Sequence, residues 1–220
     1  LKTINLENFI TTGVKDMSNL FAYCESLTEI NLNNFVTSNV QKMSSFFEGC
    51  EKLVTIHLGN NFDTTNVEHM ANMFKNCKSL RYLDISKFNT AKVNYMGGMF
   101  WGCEVLQISG LNSLDTSNVF DMSNMFNGVK EMTNFDLGKF NTRNVNNMEG
   151  MFANCTGLKN INLENFVFSN VESMKAMFKG DTNLDSIKFG DEVDTVYLRD
   201  MQEMFSMCNS LKSLDLNKFD

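Results

Sequence analysis

The sequence predicts an α/β solenoid, a curved stack of short strands and short helices, and three observations lead there. The 220 residues repeat with a period of about 26. Within each period the first half alternates apolar and polar residues, as in Ile4-Asn5-Leu6, which is the spacing of a strand. The second half sets apolar residues three and four apart, as in Val14, Met17, Phe21 and Cys24, which is the spacing of one helix face.

The period emerges when Leu1, Leu27, Leu53, Leu80, Leu106, Met132, Leu158, Leu184 and Leu211 are aligned. They open eight full units, 1–26, 27–52, 53–79, 80–105, 106–131, 132–157, 158–183 and 184–210, and a partial ninth, 211–220, so the chain reads as one repeat domain. The third and eighth units carry one extra residue, in both cases just before the position of Phe62 and Val193. Insertions at one fixed phase belong to loops on one side of a solenoid. The unit reads L-x-x-[IL]-x-L-x-x-F-x-T-x-x-V-x-x-M-x-x-M-F-x-x-C-x-x. The second copy shows it as Leu27, Ile30, Leu32, Phe35, Thr37, Val40, Met43, Phe46, Phe47 and Cys50.

Each unit is expected to run strand, turn, short helix, turn. Ser38-Asn39, Thr65-Asn66, Ser117-Asn118 and Ser169-Asn170 precede the Val and suit a helix N-cap. One unit cannot bury its apolar faces alone, but stacked units pair their strands in parallel and pack their helices in a second row. Strands sit about 4.8 Å apart and helix axes roughly 8–10 Å apart. That mismatch predicts a leucine-rich-repeat-type horseshoe, with a parallel sheet on the concave face and short helices on the convex face. Neither end carries the polar cap of a terminal repeat, which predicts that the natural chain is longer.

Composition narrows the function classes. Hydrophobic residues make up 43%, enough for a sizeable core, and 20 Phe and 16 Met with no Pro fit one recurring backbone path. The net charge of −7 argues against nucleic acid and against an anionic membrane surface. No apolar run of about 18 residues suits a membrane span, and no basic, apolar leader opens the chain.

Few residues suggest chemistry. Cys24, Cys50, Cys77, Cys103, Cys155 and Cys208 occupy one repeat position. They are read as small buried hydrophobes, since helix rows would hold them too far apart for disulfides and the clusters that zinc needs are missing. The row Thr11, Thr37, Thr64, Thr90, Thr116, Thr142 and Thr195 is expected to satisfy backbone groups in the turn. His57 and His69 should face opposite surfaces. Asp84, Asp136 and Asp215 share a strand position with Asn5, Asn31, Asn162 and Lys188, and no carboxylate pair recurs for general acid–base work. Trp101 is expected to pack against a neighbouring unit. No cofactor, metal or catalytic residue is predicted.

The segments Asn33-Asn34-Phe35-Val36-Thr37-Ser38-Asn39-Val40 and Met122-Ser123-Asn124-Met125-Phe126 resemble the 26-residue repeat of bacterial surface proteins. That family is known as the BspA-like leucine-rich repeat or, in mycoplasmas, as a domain of unknown function. The resemblance spans the chain and implies an extracellular, cell-surface protein anchored through sequence outside this segment, with an adhesion role. Its motif residues are structural, so it assigns no functional residue here. Val129 and Asp181 replace the Cys, Ser109 the strand Ile and Phe168 the Thr.

The variable positions that form a continuous surface lie on the open strand face. Asn31, His57, Tyr82, Asp84, Asp136, Asn162 and Lys188 are the candidate binding residues, in a row that also holds Glu29, Lys87 and Lys218. Extended concave surfaces of solenoids bind macromolecules. The sequence thus predicts a non-catalytic interaction or adhesion module whose partner is a host or neighbouring-cell protein or glycan. The alternative is a structural spacer that presents another domain.

Overall fold

The computed structural model describes residues 1–191, 193–217 and 219. Among the described residues six short strands follow the Leu at the head of their units: β1 Glu29–Asn31, β2 Thr55–His57, β3 Tyr82–Asp84, β4 Gln107–Ser109, β5 Asn160–Leu163 and β6 Ser186–Phe189. They pair in parallel as β1–β2, β3–β4 and β5–β6. Ile30, Leu83 and Ile161 point inward while their neighbours in the strand face out, as the alternation requires.

The expected helices do not form. Among the described residues the only helical element is a single 3-10 turn, Leu111–Ser113. In its place each unit has a run of tight turns with two residues of positive φ, four apart, such as Asn72 and Asn76 at 58° each or Gly98 at 64° and Gly102 at 72°. A right-handed helix cannot hold such residues.

The hydrogen bonds show what replaces the helix. The N–H groups of Met70, Asn72, Phe74 and Asn76 donate to Tyr95, Gly97, Met99 and Trp101 of the next unit at 2.6–3.0 Å. Those of Met73, Lys75 and Cys77 donate three residues back, to Met70, Asn72 and Phe74, at 3.0–3.3 Å. From Asn72 to Cys77 the N–H groups thus alternate between forward and local bonds, so each of those six is paired. Parallel bridges link Asp16, Lys42, His69, Tyr95, Asp121, Asn147, Ser173 and Asp200 in one continuous ladder. The half-unit expected to be helical is therefore the more continuous of the two hydrogen-bonded seams.

A stack of phenylalanines lies beneath this ladder. Phe21, Phe47, Phe74, Phe100, Phe126, Phe152, Phe178 and Phe205 lie nearly parallel, with neighbouring ring centroids 5.5–5.8 Å apart. The second half of the unit advances by one β-rung per repeat, so the wider helix spacing on which the predicted horseshoe bend rests is absent.

Side chains stitch the rungs as well. The Thr37 hydroxyl donates to the Asp63 carbonyl at 2.7 Å and accepts from the Asp63 N–H at 2.6 Å, and Thr64, Thr116 and Thr142 repeat both bonds. The asparagines before the Val donate backwards to a carbonyl of the preceding unit, as Asn66 does to Ser38 and Asn144 to Ser117. They join rungs rather than cap helices.

The fifth unit corrects one expectation. Leu83 pairs with Ile108 and Asp84 with Ser109, so Ile108 takes the inward place and Ser109 faces out. The register slips by one residue, and Gly110 at φ 81° absorbs the difference. A Cβ there would stand 2.5 Å from the Ser86 nitrogen, so the slip requires glycine.

Candidate functional site

The strand face divides into residues that shape turns and residues that do not. Asn31, Asp84 and Asn162 each accept the N–H two residues on, from Asn33, Ser86 and Glu164, at 2.9 Å. These Asx turns bend the chain out of the strand. The bonds from Ser86 hold the Asp84 carboxyl below its ordinary range. Three of the seven candidates therefore have local structural duties.

The other four lie on the surface with looser ties. His57 Nε2 is 2.8 Å from Glu29 Oε1 across β1 and β2. Lys188 Nζ is 2.6 Å from Glu164 Oε1. Asp136 accepts a 2.8 Å bond from the Asn112 amide. Tyr82 is 60% exposed, and its hydroxyl is 2.8 Å from that of Ser109. Lys218, also in this row, lies outside the described residues. His69, on the second seam, stacks on Tyr95 at 5.3 Å between ring centroids. Trp101 carries Lys75 Nζ 4.7 Å from its ring centroid, a cation–π contact with the preceding unit.

The structure gathers Tyr82 and Asp84 at one concavity. Its lining is Ile56, Leu58, Gly59, Phe62, Leu83 and Phe88, with Tyr82, Asp84 and Lys87 beside them, and it holds about 230 Å³. Ile30, Leu32, Leu83 and Ile85 are almost fully buried in their own units, whereas Ile56 and Leu58 are only half-buried. The third unit's extra residue explains the difference: Phe62 follows Leu58 by four positions, where Phe35 follows Leu32 by three. The longer loop uncovers part of the core. Asp136 and Asn162 border a separate, polar depression.

Five thiols of the cysteine row are tied to backbone carbonyls. The thiols of Cys50, Cys77, Cys103, Cys155 and Cys208 donate to carbonyls of Phe21, Phe47, Phe74, Phe126 and Phe178 in preceding units at 2.9–3.2 Å. Burial pushes the Cys103 thiol up to about 12, far from the thiolate that nucleophiles and metal ligands need. With no helix rows present, this carbonyl bond, rather than distance, is what occupies these five thiols. Asp181 sits in the same row, fully buried. Its Oδ1 accepts the Cys155 N–H at 2.7 Å, its Oδ2 has no partner, and burial raises its pKa to about 8.

Two hydrogen-bonded seams, a Leu-led strand and one unit per rung define a leucine-rich-repeat-type repeat protein. The family model described as "Mycoplasma protein of unknown function, DUF285" matches residues 1–107, 80–190 and 159–220, and the chain belongs to that family. Among solved structures, a leucine-rich repeat protein from Bacteroides ovatus is similar at 18% identity and a TM-score of 0.46, covering 94% of this chain and 59% of its own. The chain thus spans about three fifths of that protein. The TLR13–ssRNA13 complex is similar at 15% identity and a TM-score of 0.27, over 86% of this chain and 36% of its own. No curated protein sequence matches the chain. No helix among the described residues is long and apolar enough to cross a membrane.

Proposed function

We propose that this chain is a non-catalytic interaction module at the cell surface, which binds a host or neighbouring-cell protein or glycan through its strand face. The observation that carries the reading is Tyr82, an aromatic side chain 60% exposed on a paired strand beside an apolar concavity. Exposed aromatic anchors dominate binding energy at interfaces. Repeat folds of this kind generally serve binding, and the likeness of the repeat to those of bacterial surface proteins supports the extracellular location and the adhesion role. The spacer reading draws on the unbroken ladder from Asp16 to Asp200, which suits a stiff rod.

A binding screen against extracellular-matrix proteins, mucins and glycans separates the two. The module binds saturably, and Tyr82→Ala with Lys188→Ala weakens binding about tenfold or more while the folded state persists. Asp84 must be changed to Asn rather than Ala, because the Asx turn needs its side-chain oxygen. Absence of binding by the folded chain would favour the spacer.

A further inference from the structure

The concavity over the third and fourth units is a site in its own right. Its floor is core: Phe62 and Phe88 are almost buried and their rings stack at 6.1 Å, while Ile56 and Leu58 turn partly to solvent. The repeat covers these positions in the second unit, and the inserted residue before Phe62 uncovers them. At about 230 Å³ the site is below the roughly 300–1,000 Å³ of drug-sized ligand pockets, and it suits a single side chain.

The polar groups beside it differ in their freedom. The Asp84 carboxylate is engaged by Ser86 and Ser109, and the Tyr82 hydroxyl by Ser109. The Lys87 ammonium forms no hydrogen bond or ion pair among the described residues, and Asp84 is the charge that feels it. Asp84 is already engaged by Ser86 and Ser109, whereas Lys87 holds no hydrogen bond among the described residues, so an apolar floor beside this cation selects an apolar group whose anion sits on Lys87, on the side away from Asp84. We propose that this pocket binds an apolar or aromatic group bearing a carboxylate, with the apolar part on Phe62 and Phe88 and the carboxylate on Lys87. Such a group is either a free acid or the C-terminal residue of a partner. The proposal deepens the reading of the strand face as a binding surface without depending on the identity of a macromolecular partner.

The test is an NMR titration of the 220-residue chain with N-acetyl-phenylalanine, with its carboxamide, and with an octapeptide ending in a free Phe carboxylate. Concentrations reach roughly 20 mM, above the millimolar Kd expected for ligands of this size. The acid shifts the methyl signals of Ile56 and Leu58 and binds about threefold to tenfold tighter than the amide. In Lys87→Met, a surface change that leaves the fold intact, that preference disappears. A peptide much tighter than the acid assigns the site to a partner's C-terminus, and equal affinities assign it to a free acid. The proposal is overturned if neither the acid nor the peptide shifts those signals, if the amide matches the acid, or if Lys87→Met keeps the preference. Failure of the protein and glycan screen with success here would sink only the macromolecular reading.

Discussion

Replacing Asp181 by Cys, the residue of the consensus, makes the protein more stable at pH 8 and removes a pH dependence that the wild type shows between about pH 4 and 8. Asp181 is fully buried with one carboxylate oxygen unpartnered, and burial raises its pKa from 3.8 to about 8. The ionisable groups that face it are the thiols of Cys155 and Cys208, which stay neutral. In the unfolded chain the carboxyl loses its proton near pH 4, but in the fold it keeps it until near pH 8. The folded state therefore binds more protons across this interval, and stability falls as pH rises. At about 1.4 kcal/mol per pH unit the loss approaches roughly 5 kcal/mol above pH 8. Urea unfolding of both proteins at pH 5 and pH 8 reads it directly. The variant should gain little at pH 5 and several kcal/mol at pH 8. A wild type equally stable at both would mean that the carboxylate ionises in place without cost.

Truncating the centre of the phenylalanine stack has an effect of similar size. Phe100 is fully buried and lies between Phe74 at 5.7 Å and Phe126 at 5.8 Å, nearly parallel to both. Phe100→Ala removes its own burial and leaves both neighbours facing a void, so about 3–5 kcal/mol of stability is lost. Phe120→Ala is the matched control, since Phe120 is 43% exposed and meets the edge of Tyr95, and it should cost about 1 kcal/mol, well short of the core truncation. Comparable losses in both variants would remove the stack from the account of what holds the rungs together.

Much of this protein is legible in its sequence because each rung repeats the same physical problem. The Leu phase, the inward Ile and Leu of the strands and the Thr hydroxyls that close the turn all follow from residue type and spacing. The helix does not, because spacing is degenerate: the steps Met70, Met73, Phe74 and Cys77 put four side chains on one side of a helix or of a run of tight turns alike. A second signal was available. Asn72 and Asn76, Gly98 and Gly102, and Asn124 and Gly128 stand four apart within that run, and these are the residues that tolerate positive φ and weaken helices.

The candidate surface was legible only in part, for a related reason. Asn31, Asp84 and Asn162 vary between Asn and Asp as a contact residue might, yet either side chain can close the same Asx turn. The pocket follows from a single inserted residue before Phe62, whose effect depends on which core side chains the longer loop uncovers. Asp181 departs from the cysteine row in plain view, but only its burial shows what that departure costs.

The central claim is that left-handed turns, not helices, carry the second half of each unit, and Gly128 tests it most directly. Its φ is 76°, and a Cβ there would meet nothing nearer than 3.6 Å, so Gly128→Ala probes the backbone conformation free of any clash. Thermal and urea unfolding of this variant should show a loss of about 1 kcal/mol, the left-handed strain of alanine less the entropy it removes from the unfolded chain. In a helix the same substitution adds about 1 kcal/mol, and a gain of that size would contradict the account.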